Sequence, residues 1–207
     1  RVEGYRNFGT KLWNAARFCE LNGCFAADGF DPAKASLPLT RWIVGEAVHA
    51  QNTVTQAIEA YRFNDAANGV YQFIWNNFCD WYVELAKPVL QGEDVSAKSE
   101  VQEATKWALD HALRLLHPFM PFVTEELWAK TATRDGYLML DYWPNLSENL
   151  VDAEATNEIG WLIGVITEIR SVRAEMNVPA GAQVPLVAIE SGPQTQARLT
   201  ATGDTLK

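Results

Sequence analysis

The sequence lacks the equipment of most enzymes. It has no glycine-rich loop ending in Lys-Ser or Lys-Thr and no G-x-G-x-x-G after a strand, so neither of the common backbone cradles for a nucleotide is present. It has three histidines, His49, His111 and His117, and none lies three to five residues from another His or Cys, the spacing that a metal site uses. The three cysteines, Cys19, Cys24 and Cys79, are an odd number without a framework spacing. That pattern reads as free thiols in a reducing compartment, the cytoplasm being the default. No apolar run approaches the roughly 18 residues of a membrane span, and no charged-then-apolar signal pattern opens the chain. An initiator Met is also missing, which reads as a piece taken from a longer protein. There is no internal repeat and no low-complexity tract.

What remains is an ordinary globular composition over 207 residues, 48% hydrophobic and 21% charged, with eight tryptophans as its main peculiarity. A chain of this size buries a core without staples. The net charge of −9 argues against a polycation that grips nucleic acid through its backbone. The total hides a split, however. Residues 1–41 carry six basic side chains against four acids, a balance of +2, and the rest carries −11. A local basic surface on an acidic body would bind through few phosphates and specific base contacts.

Hydrophobic periodicity predicts a helix over residues 5–21, closed by Asn22-Gly23. A loop rich in Gly, Pro, Asp and Ala follows, unusual in carrying Phe25, Phe30 and Lys34. A second helix starts near Leu39 behind Pro38, with Trp42, Val48, Val54, Ile58 and Tyr61 spaced as one face. A third runs to about Leu90, dense in aromatics that include Tyr71, Trp75 and Trp81, all read as core. A fourth spans ATKWALDHALRLLHPFMPFVTEELWAK, kinked where Pro118 and Pro121 remove donors, with Phe119, Met120, Phe122 and Trp128 filling the bundle end. YLMLDYWP is expected to lie extended over the surface. From about Asp152 a helix, a turn at NVPAG and an alternating strand at QVPLVAIE form a separate unit, and the tail after it begins a further element. Residues 1–150 are thus expected to form a helix bundle, and residues 151–207 a small α/β appendage to this mainly α fold. The carboxylate pairs Glu125-Glu126 and Glu154 with Glu158 read as solvated helix faces.

On the first helix, RNFGTKLWNAARF places Phe8, Leu12, Ala15 and Cys19 on one narrow apolar stripe at about 100° per residue. Arg6, Thr10, Trp13 and Arg17 fall on the opposite side. A large aromatic flanked by two guanidinium groups points away from the core, so a partner must meet that face.

Four segments, KLWNAARF at 11–18, NNFCDWYVELAKP at 76–88, HPFMPFVTEELW at 117–128 and IRSVRAEMNVP at 169–179, resemble in this order and spacing the C-terminal part of the bacterial valyl-tRNA synthetases, members of class I. The likeness covers nearly the whole chain. HPFMPFVTEELW and the FCDWY run are shared in looser form by the isoleucyl, leucyl and methionyl relatives, whereas KLWNAARF and RAEMNVP favour valine. The family's HIGH-type and KMSKS-type motifs for ATP are absent, as is its editing domain. The resemblance implies the helical anticodon-binding domain of a synthetase, followed by the region that leads toward a C-terminal arm beyond Lys207. This piece would catalyse nothing and need no cofactor or metal, the ATP being used by a catalytic domain elsewhere in a monomeric polypeptide. Its partners would be that domain and the anticodon stem-loop of a valine tRNA. The alternatives are a scaffold that braces the catalytic domain with little RNA reading of its own, or the same domain from an isoleucyl-type relative.

Under this resemblance the candidate RNA contacts are Arg17, Phe30, Lys34, Arg41, Arg6 and Arg173. Guanidinium stacks on a base while its fork bonds an edge or a phosphate, and splayed anticodon bases need aromatic platforms. Arg17 stands first because it ends the helix beside the exposed loop. Phe30 and Lys34 lie closer to the second helix, where Arg41 adds charge, and are preferred to Phe25. Trp13 has two readings, a stack on RNA or packing against the neighbouring domain. Arg173 continues the Leu162, Ile166 and Ile169 stripe and either pairs with a carboxylate at a junction or faces the RNA.

Overall fold

The computed structural model describes residues 2–26, 29–179, 181–189 and 191–202. Four long rods dominate it: α1 (Val2–Leu21), α2 (Pro38–Glu59), a composite third rod, and α5 (Val95–Leu116). The third rod is α3 (Phe63–Tyr71), a π-helical stretch Gln72–Tyr82 and α4 (Val83–Gln91), end to end. Contacts fix the directions. Gly9 of α1 sits beside Met120, just past the end of α5, while Asn22 at the other end of α1 takes a hydrogen bond from Gln102 near the start of α5. Leu37, at the start of α2, meets Glu100 of α5. The rods therefore alternate up and down, the helix bundle that the periodicity predicts.

The core follows from the stripes. Phe8, Leu12, Ala15 and Cys19 of α1 are all buried and Arg6, Thr10, Trp13 and Arg17 are all exposed, as the helical wheel requires. Ile43, Ala47 and Val54 of α2, Leu109 and Leu113 of α5, and Phe73, Phe78 and Tyr82 of the third rod fill the interior. The three cysteines are unpaired and buried.

Several expectations about faces fail for definable reasons. In the π stretch the buried residues recur as Phe73-Ile74, Phe78-Cys79 and Tyr82-Val83, a spacing of five and then four, because each backbone bond there spans five residues instead of four. Trp81 is thereby moved off the core to a half-buried position under Arg170, whose guanidinium lies 5.3 Å from its ring, and Tyr71 is exposed. Tyr61 leaves the α2 face altogether, because the chain turns there in a left-handed conformation (φ +57°). The fourth predicted helix is two: α5 ends at Leu116 and α6 (Pro121–Thr131) starts anew, with His117 Nδ1 and Thr124 Oγ1 2.8 Å apart across the break. On α6 the buried residues are Thr124, Leu127, Trp128 and Thr131. That stripe leaves Phe122 on the outside, fully exposed instead of filling the bundle end.

The segment after α6, expected to lie extended, makes a single helical turn at Leu138–Leu140 and is pinned. Glu125 accepts from the Leu138 and Met139 amides at 2.9 and 3.0 Å, Leu138 is buried in a single helical turn, and Arg134 lies 3.6 Å over Trp128 while bonding Asp110 at 2.6 Å. Glu125 is thus a structural acceptor, not a solvated one. The helix α7 (Ala153–Glu175) is capped by Asp152 and packs its Ala155, Ile159 and Leu162 into the core against α2. Beyond it, residues 183–189 belong to no helix or ladder, and Val184, Leu186, Val187 and Ile189 are exposed. The appendage is therefore helical, not α/β, among the described residues: a strand needs a paired neighbour, and none is beside it. Glu190 of the expected strand and the tail 203–207 lie outside the described residues. The next element is α8 (Pro193–Thr202), whose Arg198 grips Glu158 with two nitrogens at 2.8 and 2.9 Å, so Glu158 too is engaged and not merely solvated.

Candidate RNA-binding surface

One end of the bundle gathers the end of α1, the connection from Asn22 to Leu37 and the starts of α2 and α5. The connection leaves α1 through Gly23, whose backbone is left-handed (φ +75°) and where a Cβ would stand 3.1 Å from Gln102 Nε2. That close approach lets Gln102 clamp the Asn22 carbonyl at 2.6 Å. Cys24 then drops into the core with no exposed surface, and the Cys19 side chain beside it lowers its thiol from the ordinary value. Tyr82, beneath, reaches Thr105 Oγ1 at 3.1 Å. Phe25 packs against the core, whereas Phe30 is half-exposed and meets Trp107 edge-on at 5.8 Å.

The far side of the connection is tied by a carboxylate from another helix. Leu37, the residue before α2, offers no side-chain cap. Glu100 of α5 supplies it instead, accepting from the amides of Ser36 and Leu37 at 2.9 Å each and from the hydroxyls of Ser36 and Thr40. Burial works to raise this carboxyl, and the four donors outweigh it and hold it below the usual carboxylate range. One free amide of the helix start, that of Leu37, is thus met in trans together with the Ser36 amide ahead of it. Nothing in SAKSE announces that role, and sequence reasoning missed it together with Gln102 and Trp107.

Against this frame the candidate contacts separate. Arg17 is exposed on the last turns of α1. Lys34 closes a short turn, Pro32–Lys34, and its side chain is 82% exposed while touching Asp31 at 3.0 Å. That contact lowers the Asp31 carboxyl from its ordinary value, with help from the Ala33 amide. Arg17, Phe30 and Lys34 therefore share one end. Arg6 lies on the same face of α1 as Arg17 but about 16 Å along the axis, at 1.5 Å per residue, toward the opposite end. Arg41 turns inward: it bonds Asp152 at 2.7 Å and its Nε is buried with no hydrogen-bond partner among the described residues. Arg173 donates to the carbonyls of Pro179 and Ala182 at 3.0 and 2.9 Å, holding the turn after α7. Among the described residues no group of three His, Cys, Asp or Glu could hold a metal ion, and no helix is long and apolar enough to cross a membrane.

A family model described as the anticodon-binding domain of tRNA ligase matches residues 40–188. The chain belongs to this family. Proteins named valine–tRNA ligase are similar along its length: that of Caulobacter vibrioides is 53% identical over the whole of this chain and 23% of its own. The ligase of Bradyrhizobium diazoefficiens is 49% identical over the whole chain and 25% of its own, and that of Brucella suis is 51% identical over 94% of the chain and 22% of its own. The chain thus spans about a quarter of the length of these relatives. The anticodon-binding family match takes in Arg41 and Arg173 but begins after Arg6, Arg17, Phe30 and Lys34, which fall instead within the alignment to the Caulobacter ligase.

Proposed function

We propose that this chain is the tRNA-binding part of a valine–tRNA ligase, docking the anticodon stem-loop of a valine tRNA while a catalytic domain outside this chain uses ATP to attach valine at the 3′ end. The observation that carries the reading is whole-chain identity near 50% to proteins named valine–tRNA ligase, joined to the anticodon-binding family. In this reading residues 1–150 are the binding bundle, and residues 151–207 are a junction region anchored on it through α7. The parent works as a cytoplasmic monomer.

Within the bundle the RNA meets the end that carries Arg17, Phe30 and Lys34. Arg17 is exposed with no ion pair among the described residues, so its planar fork is available to a base edge or a phosphate. Phe30 offers a ring already steadied by Trp107, which lowers the ordering cost of a stack. Lys34 contributes charge near the phosphates and positions without specifying. Arg41 acts from behind, bracing α2 against α7, and Arg173 shapes its turn; Arg6 touches the stem side at most.

The test is a titration of this chain with a valine tRNA transcript and with one altered in the anticodon, at two salt concentrations. Base reading separates the two RNAs by about 1–3 kcal/mol per altered contact. Equal affinity for both, or binding of neither, favours the scaffold reading.

A further inference from the structure

The last turns of α1 expose three residues of contrasting chemistry: Arg17, Glu20 and Leu21. Leu21 is 77% exposed. Their backbone is held from beneath and from its far end. Ala16, Cys19 and Cys24 are buried under it, the Asn22 side chain donates to the Phe18 carbonyl at 2.8 Å, and the Gly23 amide donates to the Glu20 carbonyl at 3.0 Å. Gln102 fixes the Asn22 carbonyl from α5. The turn thus presents its side chains at set positions before any RNA arrives.

Glu20 is placed against its own stability. The C-terminal end of a helix carries partial negative charge, so a carboxylate in the last turn is unfavourable. A cation three residues away ordinarily answers such a charge. Elsewhere in the molecule neighbours of this kind do close: Lys34 on Asp31, Arg62 on Asp65, Lys87 on Glu84 and Lys130 on Glu126, at 2.6–3.5 Å. Arg17 and Glu20, three apart and both exposed, form no ion pair among the described residues. Other acids near this end are engaged, Asp31 by Lys34 and Glu100 by four donors. A free carboxylate repels phosphate. On an RNA surface its use is to accept a hydrogen bond from the amino group of a base.

We propose that Glu20 determines base specificity on this surface, accepting from the exocyclic amine of one anticodon base while Arg17 donates to the ring nitrogen beside that amine. The inference rests on the reading of the chain as a tRNA-binding part and names the base chemistry that this part selects. Residues three apart on a helix stand about 5–6 Å apart at Cβ, so fork and carboxylate lie side by side. The pairing edges of adenine and cytosine match them, each setting an amino donor next to a ring-nitrogen acceptor. Uracil and guanine put a carbonyl where the amine would be. Two acceptors then face each other, which rejects those bases as firmly as the match favours the others. Leu21, four residues after Arg17 and on the same side of the helix, gives the face of the base an apolar rest.

The test titrates this chain and its Glu20→Ala variant with a synthetic anticodon stem-loop of a valine tRNA. In further stem-loops each anticodon adenine becomes unsubstituted purine and each cytosine becomes 2-pyrimidinone, one position at a time, so that only the amino group is lost. The parent is expected to bind the RNA lacking one particular amine about tenfold more weakly. Glu20→Ala is expected to bind that RNA and the natural one alike, with a melt no lower than the parent's. Amine losses that cost both proteins equally at every position overturn the inference. So does a variant that binds all the RNAs more tightly by one common factor, the mark of a carboxylate that only repels phosphate. A parent that fails to separate the valine stem-loop from one with an unrelated anticodon removes the proposed function and this inference with it. A parent that separates them, with Glu20→Ala doing so equally well, removes this inference alone.

Discussion

The two ends of the bundle are finished in opposite ways. At the Arg17 end the loose backbone is tied by polar side chains reaching across from α5: Glu100 onto Ser36, Leu37 and Thr40, and Gln102 onto Asn22. At the Phe122 end, rings stand in water around an open cleft. The first arrangement holds a loop in shape without covering it, which suits a surface that meets a solvated polyanion. The second leaves apolar area unburied. One helical frame thus keeps a tied polar loop and an open apolar cleft apart by the length of its rods.

The largest expected effect is where both ends depend on the same interior. Tyr82→Ala removes a fully buried ring and its bond to Thr105 and should cost about 3–5 kcal/mol in denaturant unfolding. A smaller and more selective effect belongs to Glu100→Ala, expected at about 2 kcal/mol because four donors lose one charged acceptor, with RNA affinity falling alongside. Acid should mimic it. A carboxyl held below its unfolded value stabilises the fold above that value, about 4.3 for Glu, and the contribution is lost as pH falls through the folded pKa. Glu100→Gln should therefore lose less stability than the parent on acidification, read from melts at stepped pH.

Trp81→Ala should cost only about 1–2 kcal/mol, less than for a core ring, since Trp81 is half-buried under Arg170 and loses partial burial and a cation contact. Lys34→Ala should leave the melt unchanged, weaken RNA binding modestly and reduce the slope of log affinity against log salt by about one, with anticodon preference kept. The smallest effect is Phe122→Ser, within about 0.5 kcal/mol of the parent in the isolated chain. If it instead unfolds the chain, the ring is not free and the contrast between the ends collapses.

Much of this was legible from residue order. Helix α1 and its two faces follow from a 3.6-residue period and the stop at Asn22-Gly23 from turn chemistry, while missing donors at Pro118 and Pro121 announced a kink where the chain makes a full break. The faces of the third rod were not legible, because a wheel drawn at 100° per residue cannot show that Gln72–Tyr82 is wound more widely. Nor could the sequence show that Glu100 caps a helix 60 residues away or that Arg41 is turned toward Asp152; both are contacts between distant segments that leave no local pattern. QVPLVAIE has the composition of a strand, and composition does not supply the neighbour that a strand must pair with. Of the six candidate contacts, Arg17, Phe30 and Lys34 share one end because they are close in sequence as well as in space, while Arg6, Arg41 and Arg173 lie elsewhere.

The wide winding of Gln72–Tyr82 also makes the third rod sensitive to length in a way that substitution does not reveal. Eleven residues in that stretch set the rotational phase at which Val83–Gln91 emerges. Deleting one residue there would rotate the following helix about its axis, swinging Val83, Leu85, Ala86 and Leu90, all now buried, toward solvent. Composition would hardly change, yet the end of the rod would face the wrong way. Residue number in this stretch is therefore a setting of its own, one that keeps α4 seated against α5 and, through it, the Glu100 and Gln102 side chains aimed at the loop they hold.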